Sequence, residues 1–158
     1  MSESVIRGFY EAFARLDGAA MAASYHPQVS FSDPVFPDLR GAQVGSMWRM
    51  LSAAAAASNQ FKLDYRILMC DERKAMVRWQ ADYRYAGNRK VRNSVLSTLT
   101  IWDDAIVRHV DEFPFWRWSR QALGTTGWLC GWAPPYQRAV QRAAQRRLEL
   151  FMAREAPP

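Results

Sequence analysis

At 158 residues, with 49% hydrophobic and 23% charged side chains, the chain has the length and balance of one globular domain with its own core. No apolar run approaches the roughly 20 residues that span a bilayer, and residues 1–7 lack the apolar stretch of a secretory leader. The expectation is a cytoplasmic protein with no membrane partner. Cys70 and Cys130 give neither a metal spacing nor a disulfide framework and read as free thiols. The net charge of +6 is uneven: residues 138–158 hold Arg138, Arg142, Arg146, Arg147 and Arg154 against Glu149 and Glu155. Such a strip is either a phosphate-binding surface or the solvated face of a helix. No base-reading motif accompanies it, so no nucleic-acid partner is expected.

Residues 2–16 form an amphipathic helical pattern through Val5, Ile6, Phe9, Phe13 and Leu16, closed by Asp17 and Gly18. A second short helix fits residues 19–25 and stops before Pro27. Val29 and Phe31 then alternate with small polar residues as a short strand. Pro34 holds Asp33 in an extended conformation, and Pro37 and Gly41 turn the chain into the next helix. A carboxylate pinned among Phe31, Val35 and Phe36 suits a general base; Asp-Pro is equally an ordinary turn signal. Helical periodicity resumes over residues 42–58, with Val44, Met47, Trp48 and Leu51 on one face.

From Phe61 the period changes to two. Residues 61–69, 75–85, 91–102 and 106 to about 116 read as four strands joined by short turns, which makes an antiparallel meander. On the second of these, Val77, Trp79, Ala81, Tyr83 and Tyr85 share a face. On the third, Val95, Ser97, Leu99 and Ile101 do so. Glycines and prolines between Gly124 and Pro135 break the pattern into a loop anchored by Trp128, Leu129 and Trp132, before a final helix over residues 135–152. Helices first and strands afterwards give an α+β class. The expected architecture is a curved antiparallel sheet wrapped around the N-terminal helices as a cone-like barrel with a ligand pocket, plus a C-terminal helix. Residues 1–124 form the domain. Residues 125–158 form a loop and helix that pack on it or on a partner subunit.

The order of these elements resembles the nuclear-transport-factor-2-like superfamily, which includes ketosteroid isomerases, limonene epoxide hydrolases and SnoaL-like polyketide cyclases. It is carried by residues 9–18 (FYEAFARLDG), by residues 29–35 (VSFSDPV) with Gly41, by residues 106–113 (IVRHVDEF) and by residues 120–124 (RQALG). The resemblance implies a homodimer through the open sheet face. It also implies that Asp33 is the general base of a cofactor-independent, metal-free isomerase, cyclase or hydrolase acting on a small hydrophobic molecule. The isomerase proton donors have no counterpart, since Phe9 and Ser97 stand at their positions. The carboxylate that hydrolases and cyclases carry on the last strand falls at Pro114. On an unbulged strand Glu112 shares that face and can supply the second acid, while His109 and Asp111 turn to the other side. Tyr10, Tyr25 and Ser97 are the candidate hydrogen-bond donors, and Trp48, Tyr83 and Trp116 the candidate cavity aromatics. Aromatic stripes serve equally as plain core. A hydrolase arginine can come from Arg92 or Arg108. The alternatives are a non-catalytic ligand-binding or dimerisation module of the same fold, and a basic C-terminal helix that docks on an acidic partner.

Overall fold

A computed structural model describes residues 1–157. Helix α1 (Ser2–Ala14) buries Ile6, Phe9, Tyr10, Ala12 and Phe13 on one stripe, as its spacing requires. Helix α2 (Gly18–Ala23) starts under the Asp17 carboxylate, which accepts the Ala20 N–H at 3.0 Å. Strand β1 (Tyr25–Ser32) and the two-residue β2 (Leu39–Arg40) flank the Asp33 turn, and helix α3 (Ala42–Ser58) follows. Gly41 makes that transition at φ 54 and ψ −127, and its N–H bonds to the Val29 carbonyl at 2.9 Å. A side chain there faces an unfavourable backbone region and the Pro27 carbonyl 3.1 Å from its Cβ. Gly41→Ala is expected to cost about 2 kcal/mol in urea denaturation; a loss under about 0.5 kcal/mol would show that the turn relaxes without strain.

Strands β3 (Lys62–Cys70), β4 (Lys74–Tyr85), β5 (Arg89–Trp102) and β6 (Ala105–Glu112) form the expected antiparallel meander. Asp103 and Asp104 both take positive φ in the two-residue turn between β5 and β6. The sheet order is β2-β1-β6-β5-β4-β3, with β1 running parallel to β6. Val77, Trp79 and Ala81 on β4, with Val91, Val95, Leu99 and Ile101 on β5, point to the concave side and are buried there with residues of α1 and α3. The chain is thus an α+β fold with a curved sheet over N-terminal helices.

Two sequence boundaries shift. The last strand ends at Glu112, not near Trp116, because Pro114 cannot donate to a ladder and instead opens helix α4 (Phe115–Ala122). The segment expected to be loop holds helix α5 (Gly124–Cys130). Helix α6 (Pro134–Glu155) lies on its own domain: Leu148 is fully buried, Gln137 and Gln141 both donate to the Pro34 carbonyl, and Glu155 pairs with Arg49 at 2.6 Å. The turn that carries Asp33 is therefore clamped by the C-terminal helix.

Candidate acid–base site

A cavity of about 370 Å³ opens between the concave sheet face and the helices. Trp79, Ala81 and Tyr83 of β4 and Asn93 of β5 form its floor, Phe13, Trp48 and Met50 its helical side, and Trp118, Ala144 and Arg147 contribute from α4 and α6. Two carboxylates, Asp33 and Asp111, reach this mostly apolar lining. Among the described residues, no group of three or more His, Cys, Asp or Glu side chains is arranged to hold a metal ion. A larger open depression of about 670 Å³, lined by Met1, Glu3, Asp71, Arg73, Trp102 and Asp104 among others, gathers exposed hairpin turns at a distance from this chemistry.

Asp33 sits in a turn that its own side chain closes. The Val35 and Phe36 N–H groups both donate to its Oδ1 at 2.6 Å, and its N–H donates to the Phe36 carbonyl at 2.9 Å. Both backbone donors land on Oδ1, so Oδ2 is the oxygen left for a ligand. Burial, with a smaller push from the Asp111 charge, raises the Asp33 pKa to about 7 against the pull of those two N–H groups.

Asp111 faces inward because β6 carries a bulge. Thr100 pairs with Arg108 but Ile101 pairs with Ile106, so Val107 is the extra residue and the inside–outside alternation changes phase. Ile106 is buried, and beyond the bulge His109 and Asp111 take the inner positions, 1% and 4% exposed. This corrects the unbulged register: Glu112, the expected second acid, is exposed on the outer face. Asp111 Oδ1 accepts from the Ser97 hydroxyl and lies 2.8 Å from His109 Nε2. His109 Nδ1 lies 2.7 Å from Tyr25 Oη, which accepts the Trp48 indole N–H at 2.7 Å, while the Trp79 indole N–H donates to Ser97 at 2.8 Å. Every member is satisfied when Tyr25 donates to Nδ1 and Nε2–H donates to Asp111, the tautomer this geometry selects. The imidazole is boxed by Phe9, Phe31 and Trp48, which hold its orientation.

The expected site residues fall into three groups. Asp33, Trp48 and Tyr83 line the cavity. Tyr25 and Ser97 stand behind its wall, committed to the Asp111 network, and are not themselves among the lining residues. Tyr10 is fully buried and outside the lining, and its hydroxyl has no hydrogen-bond partner among the described residues; burial and the Asp111 charge push its pKa well above the usual phenol range. An orphaned hydroxyl costs stability, so Tyr10→Phe is expected to raise it by about 0.5–1 kcal/mol in thermal or urea unfolding; a loss would show that Tyr10 has a partner. Trp116 is exposed and stacks under Arg120, leaving Trp118 as the cavity tryptophan of α4. Arg92 pairs with Asp82 on the exposed surface and Arg108 is exposed too, whereas Arg84 and Arg147 reach the cavity.

Tyr83 accepts the Trp118 indole N–H at 2.9 Å and keeps its own hydroxyl proton free for a ligand. Asn93, buried beside it, makes no side-chain hydrogen bond among the described residues and adds a second polar contact in the lining. Its signal was present in the sequence: it holds an inward place in the alternation from Val91 to Ile101.

A sequence profile for the SnoaL-like domain matches residues 6–109. The chain belongs to the SnoaL-like domain family. No curated protein matches it in sequence. Among solved structures, a protein assigned as a polyketide cyclase from Silicibacter sp. is 16% identical with a TM-score of 0.63, the alignment covering 77% of this chain and 94% of that one. An LEH-like epoxide hydrolase from M. tuberculosis is 15% identical with a TM-score of 0.59, over 84% and 96% of the two chains. TerC, co-crystallised with polyporic acid, is 15% identical with a TM-score of 0.58, over 71% and 90%. At such identities these structures share the fold with the SnoaL-like chain.

Proposed function

We propose that this SnoaL-like protein binds a small hydrophobic carbonyl compound in the sheet cavity and moves a proton on it by cofactor-independent acid–base chemistry. The observation that carries this reading is the pair of carboxylates in one apolar cavity, one of them with a pKa of about 7. Asp33 Oδ2 would take the proton from a carbon beside the carbonyl and return it at another position, so that an isomerisation balances with no further reactant. A base titrating near 7 is half-ionised at neutral pH, which suits reversible proton transfer. Tyr83 would donate to the ligand oxygen, with its hydroxyl polarised by the Trp118 N–H. Asp111, held by His109 and Ser97, would hold or accept a second proton. The fold neighbours include proteins assigned as polyketide cyclases and one co-crystallised with polyporic acid, which supports a small organic ligand in a fold of this kind.

The test is turnover of hydrophobic carbonyl compounds selected by native mass spectrometry. Asp33→Asn and Asp111→Asn are expected each to lower kcat/KM by about 10²–10⁴, and the wild-type rate should rise through a limb near pH 7. Turnover that survives both changes sinks the acid–base assignment. The alternative, a binding module without turnover, is favoured by one observation: Tyr25 and Trp79 spend their donors on His109 and Ser97, and those two spend theirs on Asp111. Stoichiometric binding with no conversion would establish it. We also propose a homodimer through the outer sheet face, where Met76, Leu96 and Val110 stand half-buried; light scattering that gives a monomer mass would dismiss it.

A further inference from the structure

Trp116, Trp128, Leu129 and Trp132 form an exposed apolar corner outside the cavity, with exposures of 42%, 57%, 56% and 72%. The corner is built, not frayed. The Trp116 indole N–H donates to the Trp128 carbonyl at 3.2 Å and that of Trp132 to the Leu129 carbonyl at 2.8 Å. Helix α5 is seated on α4 by close approach, since a Cβ on Gly127 would stand 2.0 Å from the Ser119 carbonyl oxygen. Contiguous exposed apolar groups of this size mark an interaction surface.

The stretch of sequence that carries this corner, together with most of α6, is charged one way. Residues 113–148 contain Arg117, Arg120, Arg138, Arg142, Arg146 and Arg147 and no aspartate or glutamate. The other fifteen lysines and arginines are matched by all fifteen acids, so the whole net charge of +6 resides in this segment. Arg138, Arg142 and Arg146 follow at four-residue steps on the exposed side of α6, a stripe about 12 Å long. Arg120 lies over the Trp116 ring at 4.4 Å.

We propose that the α4–α5 corner and the arginine stripe of α6 dock this protein on an anionic lipid bilayer surface. The indole N–H groups of Trp116 and Trp132 are already satisfied by backbone carbonyls, so those rings offer mainly hydrocarbon to the boundary between headgroups and acyl chains, where tryptophan is enriched. Leu129 adds an aliphatic side chain, and the arginines meet the lipid charge. A nucleic acid would use the arginines but gain little from Leu129. A second copy would bring like charges together across an isologous contact. The expectation of no membrane partner rested on spanning length. Among the described residues no helix is long and apolar enough to cross a bilayer, and surface docking needs none. Helix α4 connects the two sites, because Trp118 on its inner side lines the cavity while Trp116 faces out. A docked protein would hold this cavity wall near a reservoir of apolar molecules. The inference stands whether or not the cavity is catalytic.

The test is flotation of the full chain with vesicles of phosphatidylcholine alone or with roughly a third phosphatidylglycerol. The wild type is expected to bind the anionic vesicles about tenfold more than the neutral ones, and to release them as salt rises from about 0.05 to about 0.5 M. Brominated lipid should quench its tryptophan fluorescence. Trp128→Ser with Trp132→Ser, and Arg138→Gln with Arg142→Gln and Arg146→Gln, are each expected to cut binding about tenfold with the circular dichroism unchanged. No flotation of the wild type at low salt overturns the proposal without recourse to any variant. So does full binding by the tryptophan variant, or tighter binding to single-stranded DNA that depends on the arginines alone, both of which indicate a plain polyanion site. A dimer in light scattering that dissociates in the tryptophan variant would assign the corner to a second copy instead.

Discussion

Asp111→Ala is expected to lower the unfolding free energy by about 3 kcal/mol in urea denaturation, the largest loss for any polar side chain of this protein. The carboxylate holds together a largely buried network at the cavity wall. Its removal leaves the Ser97 hydroxyl, fully buried, and the His109 ring N–H, 1% exposed, without an acceptor. Leaving a buried donor unpaired costs about 1–3 kcal/mol, so two of them together outweigh any relief from desolvating one fewer charge. Asp111→Asn keeps an oxygen at the same place and should cost about 1 kcal/mol. If alanine and asparagine cost the same small amount, the network is not structural and water has reached it.

The second expectation concerns pH. The Asp33 carboxyl titrates near 3.8 when unfolded and at about 7 in the fold. A raised pKa means that the folded state binds the proton more tightly, so this residue's contribution to stability is fully present below pH about 4. It is lost progressively as pH rises toward 7 and changes no further above that. Asp33→Asn cannot ionise and still offers an oxygen to the Val35 and Phe36 N–H groups. Its advantage over the wild type should therefore grow from almost nothing at pH 4 to about 1–2 kcal/mol at pH 8, after discounting for the partial exposure of the turn. The melting temperatures of the two proteins across that range provide the measurement. Parallel curves would mean that Asp33 titrates normally, and the case for it as a neutral-pH base would fall with them. Because the Asp111 charge contributes to the shift, the Asp33 transition should move to lower pH in Asp111→Asn.

These two carboxylates were unequally legible. Asp33 could be found in the sequence because its environment is local: the proline after it, the N–H groups two and three residues on, and the flanking Val35 and Phe36 all lie within one turn. Asp111 was assigned to the wrong face because Glu112 was placed by alternation with Pro114, whereas the strand ends at Glu112 and its phase is set by one unpaired residue, Val107. A bulge leaves no periodic trace in a strand of eight residues, and a shift of one position exchanges the faces of everything beyond it. Glu112 and Asp111 traded places for that reason. Trp116 was misjudged through a related ambiguity: once Pro114 converts the continuation of the strand into α4, the turn of a helix, not the alternation of a strand, decides that it points outward while Trp118 points into the cavity.

By itself the sequence determined the local structure and its class. Stripes at 3.6 and alternation at 2 specify which segments coil and which extend, and short turns with Asp103–Asp104 and Gly87–Asn88 force antiparallel neighbours. It also determined the concave faces of β4 and β5, where no bulge intervenes. The tertiary structure alone decided the parallel seating of β1 against β6, the inward phase of His109 and Asp111, and the packing of α6 over the Pro34 carbonyl. The first and third are settled by hydrogen bonds and burial between residues about 80 to 105 positions apart, and such partners leave no signature in the spacing of either one. The second turns on a single unpaired residue in the β5–β6 ladder, which alternation alone does not reveal.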